Sequence, residues 1–176
     1  MDQLSLPSDV DTHHGDGAAP RSPGAGREVL DHLDEAMRTF ISRQELLFVA
    51  TSDASGNCDN SLRGGPQGFV QVLEPHRVAW PDYRGNGVMA TLGNIVANPH
   101  VGLLFVDFTG QPAGLHVNGT AEILNDATFR VAFPGVPVDP APGRRPRVWV
   151  VTHVAEAYMR CPKHIPRLMP APRNPR

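Results

Sequence analysis

Short apolar runs separated by turn residues recur from position 46 to position 154, and this rhythm constrains the fold more than any other feature. Clusters such as Ser52-Asp53-Ala54-Ser55-Gly56 fall between the runs, where the backbone has to reverse direction. Strands that recur at this spacing are typical of an antiparallel barrel or sandwich. The runs predict strands over residues 46–51, 58–63, 69–73, 77–80, 101–107, 116–124 and 148–154.

Two segments interrupt the β pattern with helical periodicity. Between Val29 and Ile41 apolar residues recur at three- and four-residue steps, which predicts an amphipathic helix. A second apolar stripe runs from Val88 to Val96 and is stopped by Asn98-Pro99. Residues 125–146 are rich in proline and are predicted as loop. We therefore expect a mainly β protein, a small antiparallel barrel of six or seven strands with two to three short helices.

The composition fits one folded domain with flexible ends. Residues 1–26 contain almost nothing apolar and are predicted to be a disordered arm, residues 27–168 the domain, and residues 169–176 a flexible basic tail. No apolar run approaches the roughly 18 residues that cross a bilayer, and the N-terminus lacks a secretory signal pattern. The net charge of −2 argues against a general nucleic-acid binder. We expect a cytoplasmic protein with no membrane and no nucleic-acid partner.

Several familiar catalytic and binding motifs are missing from the sequence. It contains no GxGxxG or GxxxxGK[ST] for phosphate binding, no CxxC or HExxH for metals, and no GxSxG elbow. The histidines are scattered, so no metal site is expected. The two cysteines, Cys58 and Cys161, are expected to be free thiols. No residue stands out as a catalytic acid or base.

One constellation suits an anion. Residues 82–87 (DYRGNG) link a predicted strand to a predicted helix, and glycines allow the backbone to approach a ligand closely. Arg84 could hold a phosphate by paired hydrogen bonds, and Arg63 lies at the end of an earlier strand. In an antiparallel meander these two strands are expected to be neighbours. Since both segments are also ordinary turn sequences with solvated arginines, the residues alone leave the two interpretations open.

Four stretches, taken in order, resemble the pyridoxamine 5′-phosphate oxidase-like, FMN-binding split-barrel family. They are FISRQELLFVATSDASGNCDNS, LRGGPQGFVQVLEPHRVAWPDYRGN, TLGNIVANPHVGLLFVDF and AEAYMRCPKHIPRL. The likeness covers about residues 28–168. It implies a split β-barrel that binds FMN and works as a homodimer with two flavins at the interface.

Carried over by position, the resemblance implies a set of flavin contacts. Arg63 and Arg84 would contact the phosphate, and Asn86, Thr91 and Asn94 would contact the phosphate or the ribityl chain. Further residues would lie along the flavin or close to it: Ser61, Gly64, Trp80, Pro81, Asp82, Tyr83, Cys161 and Lys163. For the side chain of Trp80, a place in the core is an equally good interpretation.

The resemblance implies an FMN-dependent oxidoreductase whose substrate is unassigned. True pyridoxamine phosphate oxidases carry an Arg-Lys pair where this chain has Arg84 followed by Gly85 and Asn86. Because of this difference, we do not expect pyridoxamine phosphate to be the substrate of this chain. The partner would be a small-molecule electron donor or acceptor. Two alternatives remain: a non-catalytic flavin-binding redox sensor or carrier, and a reductase on the same fold that uses the deazaflavin F420.

Overall fold

The computed structural model describes residues 28–83, 90–139, 141–160 and 162–169. Seven strands form one antiparallel sheet in this part of the chain. They are β1 (Leu46–Ser52), β2 (Cys58–Gly64), β3 (Gln71–Glu74), β4 (Arg77–Asp82), β5 (His100–Asp107), β6 (Ala113–Asn125) and β7 (Val148–Arg160). The prediction of a mainly β split barrel is confirmed. The predicted N-terminal arm and the end of the basic tail lie outside the described residues.

The order of strands in the sheet is β2-β1-β5-β6-β7-β4-β3. The sheet curls so that its inner face surrounds one apolar core. Alternate residues of each strand point to opposite faces, so every second side chain of a strand faces this core. The largest fully buried side chains of this core come from α1, the segment before it and four of the strands: Leu33, Ile41, Leu47, Trp80, Leu103, Phe105 and Leu115.

The first helix, α1 (Glu35–Ser42), begins later than the sequence predicts. Asp34 caps it by accepting a hydrogen bond from the Met37 backbone N–H at 2.7 Å. Before that cap, Leu30 exchanges backbone hydrogen bonds of 2.9 and 2.7 Å with Ala157 of β7. The apolar residues before Asp34 therefore serve strand pairing and the core, so the prediction of helix from Val29 is wrong.

The second helix, α2 (Ala90–Ala97), ends before Asn98-Pro99 as the sequence predicts. The third helix, α3 (Asp126–Ala132), lies in the stretch predicted as loop, and that prediction is wrong there. Asn125 caps α3 by accepting from the Thr128 N–H at 2.8 Å. A short helix with a single buried side chain gives little periodic signal, so its capping residue was the main clue available.

The helix α3 packs on the outer face of β6 and β7. Its buried Phe129 stacks on Trp149 at a centroid distance of 4.2 Å, and the indole Nε1 of Trp149 donates to Asp126 at 2.9 Å. Phe129 and Trp149 form a second, smaller core with Ala79 and Val151. The apolar side chains of the loop-rich stretch therefore have a packing role.

Among the described residues, no helix is long and apolar enough to cross a membrane.

At Gly119 the backbones of β6 and β7 approach too closely for a side chain. The strand register shifts between Asn118 and Gly119, and a Cβ at Gly119 would overlap the carbonyl oxygen of His153. We expect Gly119→Ala to lower the free energy of unfolding by about 1–3 kcal/mol, because the bulge would have to open. Urea unfolding followed by circular dichroism measures the change.

Gly93 on α2 provides the matched control. A Cβ there meets no atom within 4 Å, and alanine is the better helix former. Gly93→Ala should leave the stability unchanged or raise it by up to about 1 kcal/mol. Equal effects of the two substitutions would contradict the close approach at Gly119.

Candidate functional site

The inner face of β2 is polar, unlike the inner faces of its neighbours. Asp59, Ser61 and Arg63 occupy alternate positions and are half-buried. Their partners across the β1–β2 ladder are the buried Thr51, Val49 and Leu47. A strand that places a carboxylate, a hydroxyl and a guanidinium beside an apolar core presents groups suited to a polar ligand.

The helix α2 closes over this polar face and contributes a hydroxyl to it. The Oγ1 atom of Thr91 lies 3.0 Å from the Ser61 Oγ and 3.2 Å from the Asp59 Oδ2. Ser61 donates to the same Asp59 oxygen at 3.1 Å. The structure therefore brings the predicted residues Ser61 and Thr91 together. Sequence reasoning did not single out Asp59, whose alternation with Ser61 and Arg63 was the available signal.

Two asparagines fasten α2 to β1. The Nδ2 of Asn94 donates to the Thr51 Oγ1 at 3.1 Å, and the Nδ2 of Asn98 donates to the Ser52 Oγ at 2.9 Å. Asn94 was predicted to contact the cofactor, and in this structure its amide binds the neighbouring strand. Its position next to Thr91 keeps it at the same end of the barrel.

Arg63 lies at the seam where the curled sheet closes. Its Nε atom lies 3.3 Å from the Asp82 Oδ1, and its guanidinium carbon lies 5.6 Å from the centre of the Trp80 ring. The expectation that β2 and β4 are neighbours in a meander is wrong, since four strands separate them in the sheet. Curling of the sheet, not strand pairing, brings Arg63 to Trp80 and Asp82.

The guanidinium of Arg63 keeps unused hydrogen-bonding capacity. Its Nε is buried without a hydrogen bond of good geometry in the described part of the chain, although it is within ion-pair distance of Asp82. The side chain is 23% exposed, so a ligand can reach it. Burial raises the pKa of Asp82, against the opposing effect of Arg63 and Arg147. Arg63 therefore faces a carboxylate whose ionised form is disfavoured by burial.

Residues 80–83 lead from the core to the surface beside Arg63. The Trp80 side chain is completely buried, so its ring belongs to the core and only its backbone remains available for the predicted contact. Pro81 is buried as well, whereas Tyr83 lines a cavity of about 230 Å³ together with Arg144. Burial raises the pKa of Tyr83, which keeps the phenol protonated at neutral pH.

The remaining predicted residues divide into two groups. Gly64 is exposed at the end of β2, next to Arg63. Lys163 is exposed in a short 3-10 helix (Pro162–His164), and the chain just after it is anchored to the β5–β6 turn through the bond from Arg167 to the Gly110 carbonyl. Arg84, Asn86 and Cys161 lie outside the described residues.

A second polar cluster lies on the outward face of the sheet, and strand alternation was the single sequence signal for it. His116 of β6 stacks on Tyr158 of β7 at 4.8 Å, and Arg160 donates to the His116 Nε2 at 3.4 Å. Burial, reinforced by the charge of Arg160, lowers the pKa of His116. The imidazole is therefore neutral at physiological pH.

Two larger grooves lie apart from Arg63. A groove of about 720 Å³ runs over the outward face, where its floor includes Ala50, Gly102 and Ala155. Another of about 1000 Å³ lies beside Arg43, Asp107 and Arg160. Neither is lined by Arg63, Ser61 or Thr91. The polar face of β2 therefore lies outside both grooves, and its side chains are half-buried.

The donors and acceptors along β2 fit a ligand with an anionic end and a polyol. Arg63 offers charged donors at one end, with a buried nitrogen that has no hydrogen-bond partner in the part of the chain that the structure describes. Four residues away, Asp59 and the two hydroxyls offer acceptors. A phosphorylated ribityl chain has this same polarity, so the residues present fit FMN.

The raised pKa of Asp82 predicts how stability depends on pH. The folded protein binds this proton more tightly than the unfolded chain, so the stability that the group contributes is complete below its unfolded pKa of about 3.9. It is lost as pH rises through the higher folded-state pKa. Asp82→Asn should therefore gain stability relative to wild type as pH rises through this window, measured by urea unfolding at a series of pH values.

Asp53 provides the control of opposite sign. The side chain of Asn57, and then its backbone N–H, lower the pKa of Asp53 in the β1–β2 turn. Asp53→Asn should lose stability relative to wild type as pH rises through the carboxyl range. Parallel pH profiles for wild type and Asp82→Asn would show that burial does not shift Asp82.

Comparison with known proteins identifies the family. Residues 33–161, more than half of the chain, match the family model described as pyridoxamine 5′-phosphate oxidase. No curated protein matches the chain significantly.

Solved structures share the fold at low sequence identity. A putative pyridoxamine 5′-phosphate oxidase from Lactobacillus delbrueckii is 21% identical with a TM-score of 0.52, over 73% of this chain and 94% of that one. A pyridoxamine 5′-phosphate oxidase-related, FMN-binding protein from Nostoc punctiforme is 14% identical with a TM-score of 0.50, over 70% and 81%. An F420 reductase is 18% identical with a TM-score of 0.50, over 71% and 98%. Together with the match over residues 33–161, the curled seven-stranded sheet means that this chain belongs to the pyridoxamine 5′-phosphate oxidase family.

Proposed function

We propose that the chain is a flavin-dependent oxidoreductase that binds FMN along the inner face of β2 and exchanges electrons with a small molecule. The observation that carries the proposal is the guanidinium of Arg63, which is reachable at the barrel seam and has a buried nitrogen without a hydrogen-bond partner among the described residues. Bound FMN would supply the electron-transfer chemistry, while the protein binds, orients and shields it.

The residues around Arg63 have separate roles in this proposal. Arg63 holds the phosphate through charge-assisted hydrogen bonds, joined by Arg84 and Asn86 from the connection between β4 and α2. Ser61, Thr91 and Asn94 line the path of the ribityl chain. The backbone at Gly64 and at residues 80–83 lies along the flavin, and Cys161 and Lys163 approach it.

A second copy of the chain would complete this site. The outward face of β2, β1 and β5 carries Leu62, Leu46 and Leu104, of which Leu62 is 56% exposed. An exposed apolar patch on a sheet face is typical of an interface between proteins. Because the polar side chains of β2 are only half-buried in a single chain, we propose a homodimer that buries this outward face and reaches the flavin on the inner face around the free edge of β2.

Two alternatives use the same pocket. An F420 reductase shares this fold, so F420 is the second candidate cofactor. A flavin-binding redox sensor or carrier would bind FMN without turnover. Mass spectrometry of the released cofactor separates FMN from F420, and assays with reduced nicotinamides and a panel of acceptors separate an enzyme from a sensor.

The affinity for FMN tests the phosphate assignment. Arg63→Ala should weaken FMN binding roughly 10- to 100-fold, because a charge-assisted hydrogen bond is worth about 1.5–3 kcal/mol. Arg63→Ala combined with Arg84→Ala should weaken it further. The absorption spectrum of the purified protein and fluorescence titration of the apoprotein with FMN measure these effects.

The exposed Arg38 on α1 gives the charge-matched control. Arg38→Ala should leave the affinity for FMN unchanged. A double variant that stays folded and binds FMN as tightly as wild type would overturn the assignment. A colourless wild-type protein that binds neither FMN nor F420 would overturn the proposed function.

The proposed dimer makes a separate prediction. Leu62→Asp should give a monomer, because it places a charge in the buried interface. Val96→Asp introduces the same charge on the outer side of α2, where Val96 is 80% exposed, and should leave the dimer intact. Light scattering after size-exclusion chromatography measures the mass, and a monomeric wild type or a dimeric Leu62→Asp variant contradicts the proposed interface.

A further inference from the structure

Asp59 has no role in the proposed function so far, although its carboxylate lies beside the residues proposed to hold an anion. It lies on the same face of β2 as Arg63, four residues earlier, which is about 13 Å along an extended strand. Among the described residues, Asp59 forms no salt bridge and belongs to no group of residues that could hold a metal. Within the described part of the chain, therefore, no cation compensates the charge of Asp59.

The hydrogen bonds around Asp59 leave acceptors in excess. Each hydroxyl of Ser61 and Thr91 carries one proton, and both lie within bonding distance of the Asp59 Oδ2. Either both protons point to the carboxylate, or one hydroxyl donates to the other, which in turn donates to Asp59. No hydrogen bond within the described part of the chain reaches the Oδ1 of Asp59. In both arrangements the half-buried Asp59 and Ser61 keep lone pairs that no described residue uses.

Free lone pairs beside a carboxylate select a ligand that donates. A phosphate dianion donates no proton and is repelled by the charge, whereas a polyol donates through every hydroxyl. FMN, FAD and F420 all carry a ribityl chain, so one acceptor cluster can serve each of them. This part of the site is therefore suited to the polyol, and Arg63 to the phosphate.

We propose that Asp59, held by Ser61 and Thr91, accepts hydrogen bonds from the ribityl hydroxyls and recognises the cofactor independently of its phosphate. The inference rests on the proposed flavin-binding function. It separates two ends of the site: Arg63 reads the anionic group, and Asp59 reads the polyol. Riboflavin, which lacks the phosphate, binds through Asp59, and lumiflavin, which lacks the ribityl chain, does not use it.

Titration of the full-length apoprotein with FMN, riboflavin and lumiflavin tests the proposal. Asp59→Ala should weaken FMN and riboflavin by a similar factor of roughly tenfold or more and leave lumiflavin unchanged. Arg63→Ala should weaken FMN and leave riboflavin unchanged. Asp59→Asn is the second variant, for use if Asp59→Ala is poorly folded. It preserves the shape of the side chain and keeps one acceptor, so it should weaken FMN and riboflavin by a smaller factor and leave lumiflavin unchanged.

The exposed Glu28 is the charge-matched control. Glu28→Gln should leave all three affinities unchanged. Tighter binding of FMN by Asp59→Ala or Asp59→Asn would mean that the carboxylate only repels the phosphate, and unchanged riboflavin affinity would mean that it does not contact the ribityl chain. Either result overturns the proposal while the flavin function stands, whereas a wild type that binds none of the flavins overturns both.

Discussion

The contact of Arg63 with Trp80 and Asp82 joins two strands that share no backbone hydrogen bonds. It exists because the sheet curls until β2, at one edge, meets β4 near the other. The same curl leaves the polar side of β2 facing inward under α2. Burial of the apolar core drives the closure, and the site is the place where closure leaves polar groups partly uncovered.

The polar face of β2 carries both positive and negative groups, so it is not a simple anion-binding site. Arg63 supplies donors, and Asp59 with its two hydroxyls supplies acceptors a few residues away. A carboxylate in this position would weaken the binding of a simple phosphate or sulfate. It is compatible with an elongated ligand that is negative at one end and rich in hydroxyls elsewhere, which is the character of a phosphorylated flavin.

Periodicity and turn chemistry predicted the strands well, because each apolar run and each Gly or Asp cluster acts locally. Local signals gave Arg63 as a candidate, whereas the roles of Ser61 and Thr91 came from the family resemblance. Local signals failed where tertiary contacts determine the secondary structure. Leu30 pairs with Ala157 instead of extending α1, and the stacking of Phe129 on Trp149 stabilises α3. Asp59 was missed because its importance lies in a contact with Thr91, 32 positions later in the chain.

The attachment of α2 to the barrel has a further consequence. Thr91, Asn94 and Asn98 lie on one side of the helix, and each reaches a different residue of β1 or β2. They span about 10 Å of helix axis, so a small slide or rotation would break all three bonds together. The three bonds together fix the position of the helix along its axis and its rotation about that axis. They hold in place the helix that covers the polar face of β2.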